Sequence, residues 1–480
     1  MARAPKILTP ADIILRPFRE FAARQASGGI VLILATIVAM VWANSALAHS
    51  YEEIWEHTDF AITFGDHKFK MHLLHWINDL VMAAFFLLVG LEIKREVLVG
   101  ELSSFRKASL PIAAALGGMV APGAIFAVLN WGSPSIRGWG TPMATDIAFA
   151  LGVLALLGSR APVTLKVFLA SLAIADDIGA LLVIAVFYTE TIYTDYLMAA
   201  FAILAVLLIL NLLGFDMLLP YLILGLIVWF CVYRSGIHAT IAGVAVAAMI
   251  PARQRVRGGE FMSRVHSALK IYRHETHSND VILSNARLAG AVHDIQAACD
   301  DCETPLQKLE HALLPWVAFV IVPLFAISNA GVTLPHDFGS AVASRVTLGV
   351  ILGLIIGKPV GILLFSWMAI RTGVARLPAG VSWRHLFGAG CLAGIGFTMS
   401  LFIGHLAFAN SHDDVVAAKL GVLLASTIAG LLGATVIATA KPLTQEQMEA
   451  IDRSVVEAHF DDSGPFHTPP GGPIIEATME

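Results

Sequence analysis

The stretch LASLAIADDIGALLVIAVF, Leu169–Phe187, is apolar or small throughout except for two adjacent carboxylates, Asp176 and Asp177. Its length matches the roughly 20 residues that a helix needs to cross a bilayer. An aspartate at the centre of such a helix costs about 2.5–3.5 kcal/mol on the insertion scale. Ionisable groups at that depth generally face a water-filled cavity or a partner, and they mark ion or proton routes. Neighbouring helical positions point about 100° apart. One aspartate can therefore meet another helix while the other faces a cavity.

The rest of the chain fits a bilayer. Of its 480 residues, 57% are hydrophobic and only 14% charged, with a mean hydropathy of +0.75. Soluble domains carry about 25% charged residues. The net charge of −5 argues against a nucleic-acid partner. Apolar runs of spanning length predict about twelve transmembrane helices, near 27–47, 76–98, 108–130, 141–158, 164–188, 195–214, 218–234, 236–251, 312–334, 345–370, 385–408 and 415–439. The fold class is thus an all-α polytopic membrane protein. ANSALA (Ala43–Ala48) resembles a signal-peptide cleavage site, but the apolar run before it is long for a signal peptide, and a retained first helix is expected.

Orientation follows the lysines and arginines. Arg3, Lys6, Arg16, Arg19 and Arg24 precede the first span, and Lys94, Arg95, Arg106 and Lys107 fill the second connection. Connections four, eight and ten are basic as well, whereas the odd connections are poorer in positive charge. Both termini are expected in the cytoplasm. Residues 49–72 alternate weakly and suggest an extracytoplasmic hairpin. Residues 252–311 form a long cytoplasmic insertion within a 1–440 membrane domain, and 441–480 read as a polar, disordered tail. Within the insertion, Cys299 and Cys302 form a C-x-x-C near His274, His277 and His293. With no second pair and no strand-helix context, these read as incidental thiols.

Further charges lie at membrane depth. GTPMATDIAFALG (Gly140–Gly152) places Thr145 and Asp146 in the fourth span, where Pro142 and the glycines favour a break. Broken backbone is tolerated there only when it is buried in protein or lines a cavity. Carbonyls, a hydroxyl and carboxylates together make an all-oxygen site suited to a hard cation. GLIIGKPVGILLF puts Lys358 in the middle of the tenth span, and a buried lysine either pairs with a carboxylate or gives up its proton. The eleventh span, GAGCLAGIGFTMSLFIG (Gly388–Gly404), is glycine-rich and predicts a second interruption. Paired interruptions in two halves point to a transporter's binding site, with spans three to five matching ten to twelve. The alternatives are a kinked structural helix, a snorkelling lysine and close packing through glycine. Glu92, Glu96, His238, Glu310 and His311 sit near span ends, where they can sense pH or funnel cations.

Together, ATDIAFALGVLALLG, LAIADDIGALL, GLEIKRE, SGIHATIAG, VPLFAISNAGV, GKPVGI and GIGFTMSLFI resemble the NhaA-type Na⁺/H⁺ antiporters of bacterial inner membranes, over roughly residues 15–440. That family is itself a type case of inverted-topology repeats, so the repeat reading is not independent of the resemblance. The resemblance implies two interrupted helices crossing at mid-membrane and electrogenic exchange of cytoplasmic Na⁺ or Li⁺ for more than one external H⁺. It implies no catalytic step and no resident cofactor. Asp177 matches the family's principal cation ligand, Asp176 its partner carboxylate, Thr145 and Asp146 the polar residues at the crossing, and Lys358 the lysine that pairs with Asp176. Asp177, Asp176 and Thr145 are the implied Na⁺ or Li⁺ ligands, and Glu92, Glu310 and His238 match positions tied to pH response. A homodimer is implied as well. The long insertion and extended tail depart from the family's pattern. Three other classes fit less well: an organic-anion symporter lacks solute-binding groups here, a channel lacks a filter motif, and a hydrolase lacks a nucleophile or metal constellation.

Overall fold

A computed structural model describes residues 10–64, 67–189, 191–253, 258–275, 286–334 and 337–440. The tail 441–480, the basic residues Arg3 and Lys6, and His277 of the insertion lie outside the described residues.

The chain is a helical bundle. In order it comprises α1 (Pro10–Ala43), α2 (Leu73–Val99), α3 (Phe105–Leu129), a 3₁₀ segment (Pro134–Met143), α4 (Ile147–Leu156), α5 (Val163–Phe187), α6 (Thr194–Leu212), α7 (Leu218–Ser235) and α8 (Ile241–Met249). There follow α9 (Gly258–Glu275), α10 (Ala286–Cys302), α11 (Pro305–Asn329), α12 (Arg345–Arg371), α13 (Trp383–Ala393), α14 (Phe397–Ala407) and α15 (His412–Ala438). Between α1 and α2, a helical turn over 48–57 leads into an antiparallel hairpin of β1 (Asp59–Phe64) and β2 (His67–His72), with Asp59 opposite His72. Only the second half of the expected hairpin region is strand.

Among the described residues, nine helices are long and apolar enough to cross a membrane, or up to eleven if each of two bent pairs counts as one span. The expected count of twelve is not confirmed by length: α8, at the place of the eighth span, has only nine residues, about 13 Å of helix against a hydrocarbon core of about 30 Å. Gly236, at φ +84°, ends α7, and the chain turns through His238–Thr240 before α8 begins. The insertion, expected as a polar loop with some helix, holds two helices. α9 and α10 pack together as a helical pair, and Cys299 and Cys302 lie on the last turn of α10.

Contacts sort the connections by parity. Tyr188, after α5, reaches Arg137 O, before α4, and Tyr193 N–H bonds Ser235 O. Tyr51, before the hairpin, donates to Ile327 O and accepts from Gly331 N–H. These odd connections share one end of the bundle. At the other end Lys94 donates to Ala248 O and Ile250 O, Arg160 to Ala438 O and Thr164 to Ala379 O.

Gly353, Gly357 and Gly361 recur every four residues along α12, the small-x-x-x-small pattern that lets membrane helices approach backbone to backbone. A Cβ on Gly361 would strike the carbonyl of Gly117 in α3, and one on Gly357 would meet Pro122 at 2.7 Å. This tight crossing, with a π-helical turn at Gly353–Gly357, holds Lys358 in the interior. Outward faces are apolar and exposed, α6 most of all, as hydrocarbon surroundings require.

Candidate functional site

The two predicted interruptions are present, and they bind each other. One lies at Ala144–Asp146, between the 3₁₀ segment and α4, and the other at Gly394–Gly396, between α13 and α14. Asp146 N–H donates to Ile395 O at 2.7 Å. A Cβ on Gly396 would sit 3.1 Å from Ala144 O. Glycine there permits the close approach of the two chains.

A broken helix exposes N–H groups at its new start and carbonyls at its new end, so each needs a partner in the interior. Asp146 serves two starts at once. Its Oδ1 accepts from Phe149 N–H of α4 at 3.0 Å. Its Oδ2 accepts from the N–H and hydroxyl of Thr398 in α14, at 3.2 and 2.6 Å. A carboxylate is the fitting cap because each helix N-terminus carries partial positive charge. Ser426 of α15 accepts from Phe397 N–H at 3.1 Å.

Thr145 handles an end. Its hydroxyl lies 2.9 Å from Ala393 O, the last carbonyl of α13, and 2.8 Å from Asp176 Oδ2. Its one proton serves one of these acceptors at a time. The Lys358 ammonium donates to Thr145 Oγ1 at 2.6 Å and pairs with Asp176 Oδ2. Three elements thus meet on Asp176, namely α5, the fourth-span break and α12, and α13 joins them through Thr145.

Asp177, one step along α5, takes no part in that network. Both aspartates are buried, and Asp176 Oδ1 and Asp177 Oδ1 have no hydrogen-bond partner among the described residues. The electrostatic neighbours of Asp177 are Asp176, Glu92, Lys358 and Asp146. Three aspartates and Glu92 therefore lie near one ammonium. If the aspartates and Lys358 all ionise, two negative charges stay uncompensated in a low-dielectric interior even before Glu92 is counted, and an unpaired charge there is costly. A carboxylate so placed is neutralised by a proton or by a cation.

The remaining predicted residues separate. Arg95 pairs with Glu310 and approaches Glu96 at 3.4 Å, and Glu92 lies within the field of all three. Glu96 Oε2 also accepts from Glu101 N–H at 3.0 Å. His238 is at the opposite end of the bundle, with electrostatic ties to His405 and a bond to the Tyr188 backbone. It does not join Glu92 and Glu310. Thr398 and Arg95, one in each cluster, carry no mark of their roles in the sequence beyond their place in GIGFTMSLFI and GLEIKRE. The signal for Thr398 was a hydroxyl residue directly after a glycine-rich break.

A charged centre walled by apolar helices and built on two facing breaks defines a polytopic helical membrane protein with a polar core. The sequence places it further. Residues 19–437 match the family model described as Na⁺/H⁺ antiporter 1. The chain is 48% identical over 424 residues to the Na⁺/H⁺ antiporter NhaA of Oleidesulfovibrio alaskensis, covering 88% of this chain and 94% of that protein. It is 47% identical to NhaA of Helicobacter pylori strain G27 over 417 residues (87% and 94%). NhaA 1 of Saccharophagus degradans is 47% identical over 423 residues (88% and 90%). The chain belongs to the Na⁺/H⁺ antiporter 1 family, a family of multi-pass membrane transporters.

Proposed function

We propose that the protein is an electrogenic secondary transporter that exchanges cytoplasmic Na⁺, or Li⁺, for more than one external H⁺, with Asp176 and Asp177 alternating between cation and protons. The observation that carries this reading is the pair of buried, unpartnered oxygens on adjacent carboxylates, in a centre with three aspartates and one ammonium. In the inward-facing state Na⁺ displaces protons from the aspartates, and in the outward-facing state protons displace Na⁺. Binding one expels the other, so no covalent intermediate and no resident cofactor is needed. The cation is cargo. Asp177 is its principal ligand, with Asp176 and Thr145 beside it, and oxygen donors suit a hard cation.

Lys358 holds Asp176 and can exchange a proton with it, because an ammonium, unlike a guanidinium, loses its proton when its partner changes. Asp146 keeps the two half-helix starts neutralised while the site changes occupancy. Glu92 and Glu310, bridged by Arg95, form the pH-responsive cluster at the cytoplasmic mouth, and His238 responds separately at the other end. Membership of the family supports Na⁺/H⁺ exchange. The bacterial inner membrane as location, cytoplasmic termini and a homodimer rest on the resemblance and the charge pattern.

The test is proton movement on Na⁺ or Li⁺ addition to vesicles containing the purified protein, across a pH series, with Na⁺ and H⁺ as the only solutes. Acceleration by an imposed membrane potential shows electrogenic exchange. Potential-independent exchange would overturn that stoichiometry, and no proton movement would overturn the reading.

A further inference from the structure

A cavity of about 260 Å³ opens at the hairpin end of the bundle, between the turn over 48–57, the start of α2, the α11–α12 connection, the end of α14 and the start of α15. Its lining is titratable to an unusual degree. Glu52 and Glu56 of the 48–57 turn line it, with His72 and His75 at the start of α2 and His412 at the start of α15. At its floor are His405 of α14 and Lys419 of α15, which lie in each other's field; Lys419 also feels Glu56, and His405 feels His75 and His238.

The floor is tied to the charged centre by a single rigid element. Thr398, whose hydroxyl donates to Asp146, and His405 are seven residues apart on α14, about 10 Å along the helix axis. Between them, Ser400 Oγ is buried and without a hydrogen-bond partner among the described residues, as is Thr141 Oγ1, which lies 3.7 Å from the Cβ position of Gly404. Such hydroxyls can accept and donate a proton in turn. A dry structural interface offers no reason for two of them on one path.

We propose that this cavity is the extracytoplasmic port of the exchange route, and that His405 and Lys419 at its floor pass protons inward while holding external Na⁺ back. The proposal rests on the Na⁺/H⁺ exchange reading. An imidazole takes a proton on one ring nitrogen and releases one from the other, so His405 relays protons without binding a hard cation. With the histidines neutral, the two glutamates outweigh Lys419 by one charge. A proton on His405 cancels that excess, which removes the cavity's attraction for Na⁺. The port thus favours proton entry when protons are abundant and opposes Na⁺ return.

The experiment uses the full-length protein in proteoliposomes of one orientation. Exchange of internal Na⁺ for external H⁺ is followed against external pH at fixed internal pH, and then the reverse. His405→Gln and Lys419→Gln are expected to move the external-pH midpoint by about one unit and leave the internal profile unchanged. External Na⁺ should inhibit Lys419→Gln several-fold more strongly. Unchanged external profiles, or equal displacement of both, overturn the port. Should either variant fail to insert, Ala409→Cys at the cavity wall carries the test. Modification by a membrane-impermeant charged thiol reagent from outside should stop exchange in that variant and spare the unsubstituted protein. Full exchange after complete labelling overturns the proposal. Absence of Na⁺-dependent proton movement in the unsubstituted protein would instead remove the exchange reading itself.

Discussion

Two clusters in this molecule have the same formal arithmetic and opposite construction. At the centre, Asp176 pairs with Lys358, and Asp146 and Asp177 add two further carboxylates nearby. At the insertion end, Glu92, Glu96 and Glu310 share Arg95. The central cation is an ammonium that can lose its proton; the other is a guanidinium that stays charged. Arg95 has 31% of its side chain exposed, whereas Lys358 and Asp176 are fully buried. The centre sits on two broken helices whose free N–H groups and carbonyls join the network. The end cluster is carried by Leu73–Val99 and Pro305–Asn329, continuous helices. Polar backbone at membrane depth, in place of more charge, separates the centre from a cluster that ties two continuous helices together.

The sharpest way to break this contrast is Asp177→Asn, which removes the carboxylate that neither pairs with Lys358 nor caps a half-helix. Na⁺-driven proton movement should be abolished while the protein still folds, since Asp177 Oδ1 holds no structural bond. Normal exchange would make the centre as structural as the end cluster. Next comes Lys358→Met, which strands Asp176 and should cost about 3–5 kcal/mol of stability, seen as a lowered melting temperature in detergent. Removal of Asp176 as well, in Asp176→Asn with Lys358→Met, should restore part of that loss, and no restoration would deny the pairing its weight.

Thr145→Val tests the hydroxyl junction. It should cost about 1–3 kcal/mol, less than the lysine change, and weaken Na⁺ affinity more than it lowers maximal rate. Equal effects on both would place Thr145 outside the binding site. The smallest effect is expected from Glu310→Gln, which loosens Arg95 at a half-exposed position. Maximal exchange should survive, with the pH profile displaced by about one unit. A large loss of rate at every pH would show that the end cluster belongs to the transport path.

Much of this was legible because bilayers punish charge. Asp176, Asp177, Asp146 and Lys358 stand out against apolar runs, and glycine and proline beside Thr145 and around Gly394 announce the two breaks. Charge in the connections foretold which of them share an end. Other features carried no such mark. Thr398 is an ordinary hydroxyl until Asp146 reaches it across 252 residues of chain. The α8 segment is apolar enough to pass for a span, but its length is set by the turn at His238–Thr240. His238 sits near a span end like Glu92 and Glu310, but it lies at the opposite end of the bundle from them.

The sequence by itself determined the solvent, the helices and the identity of the costly residues, because helix periodicity and transfer free energy act locally. It also required Asp176 and Asp177 to diverge, since adjacent positions on a helix cannot point the same way. Only the tertiary structure decided their division of labour. Packing of α3 on the Gly353–Gly357–Gly361 face of α12 carries Lys358 to Asp176, and the facing breaks bring Thr145 to the same oxygen. Those approaches join segments roughly 180 to 250 residues apart, and their geometry comes from how whole helices cross, which no local pattern encodes.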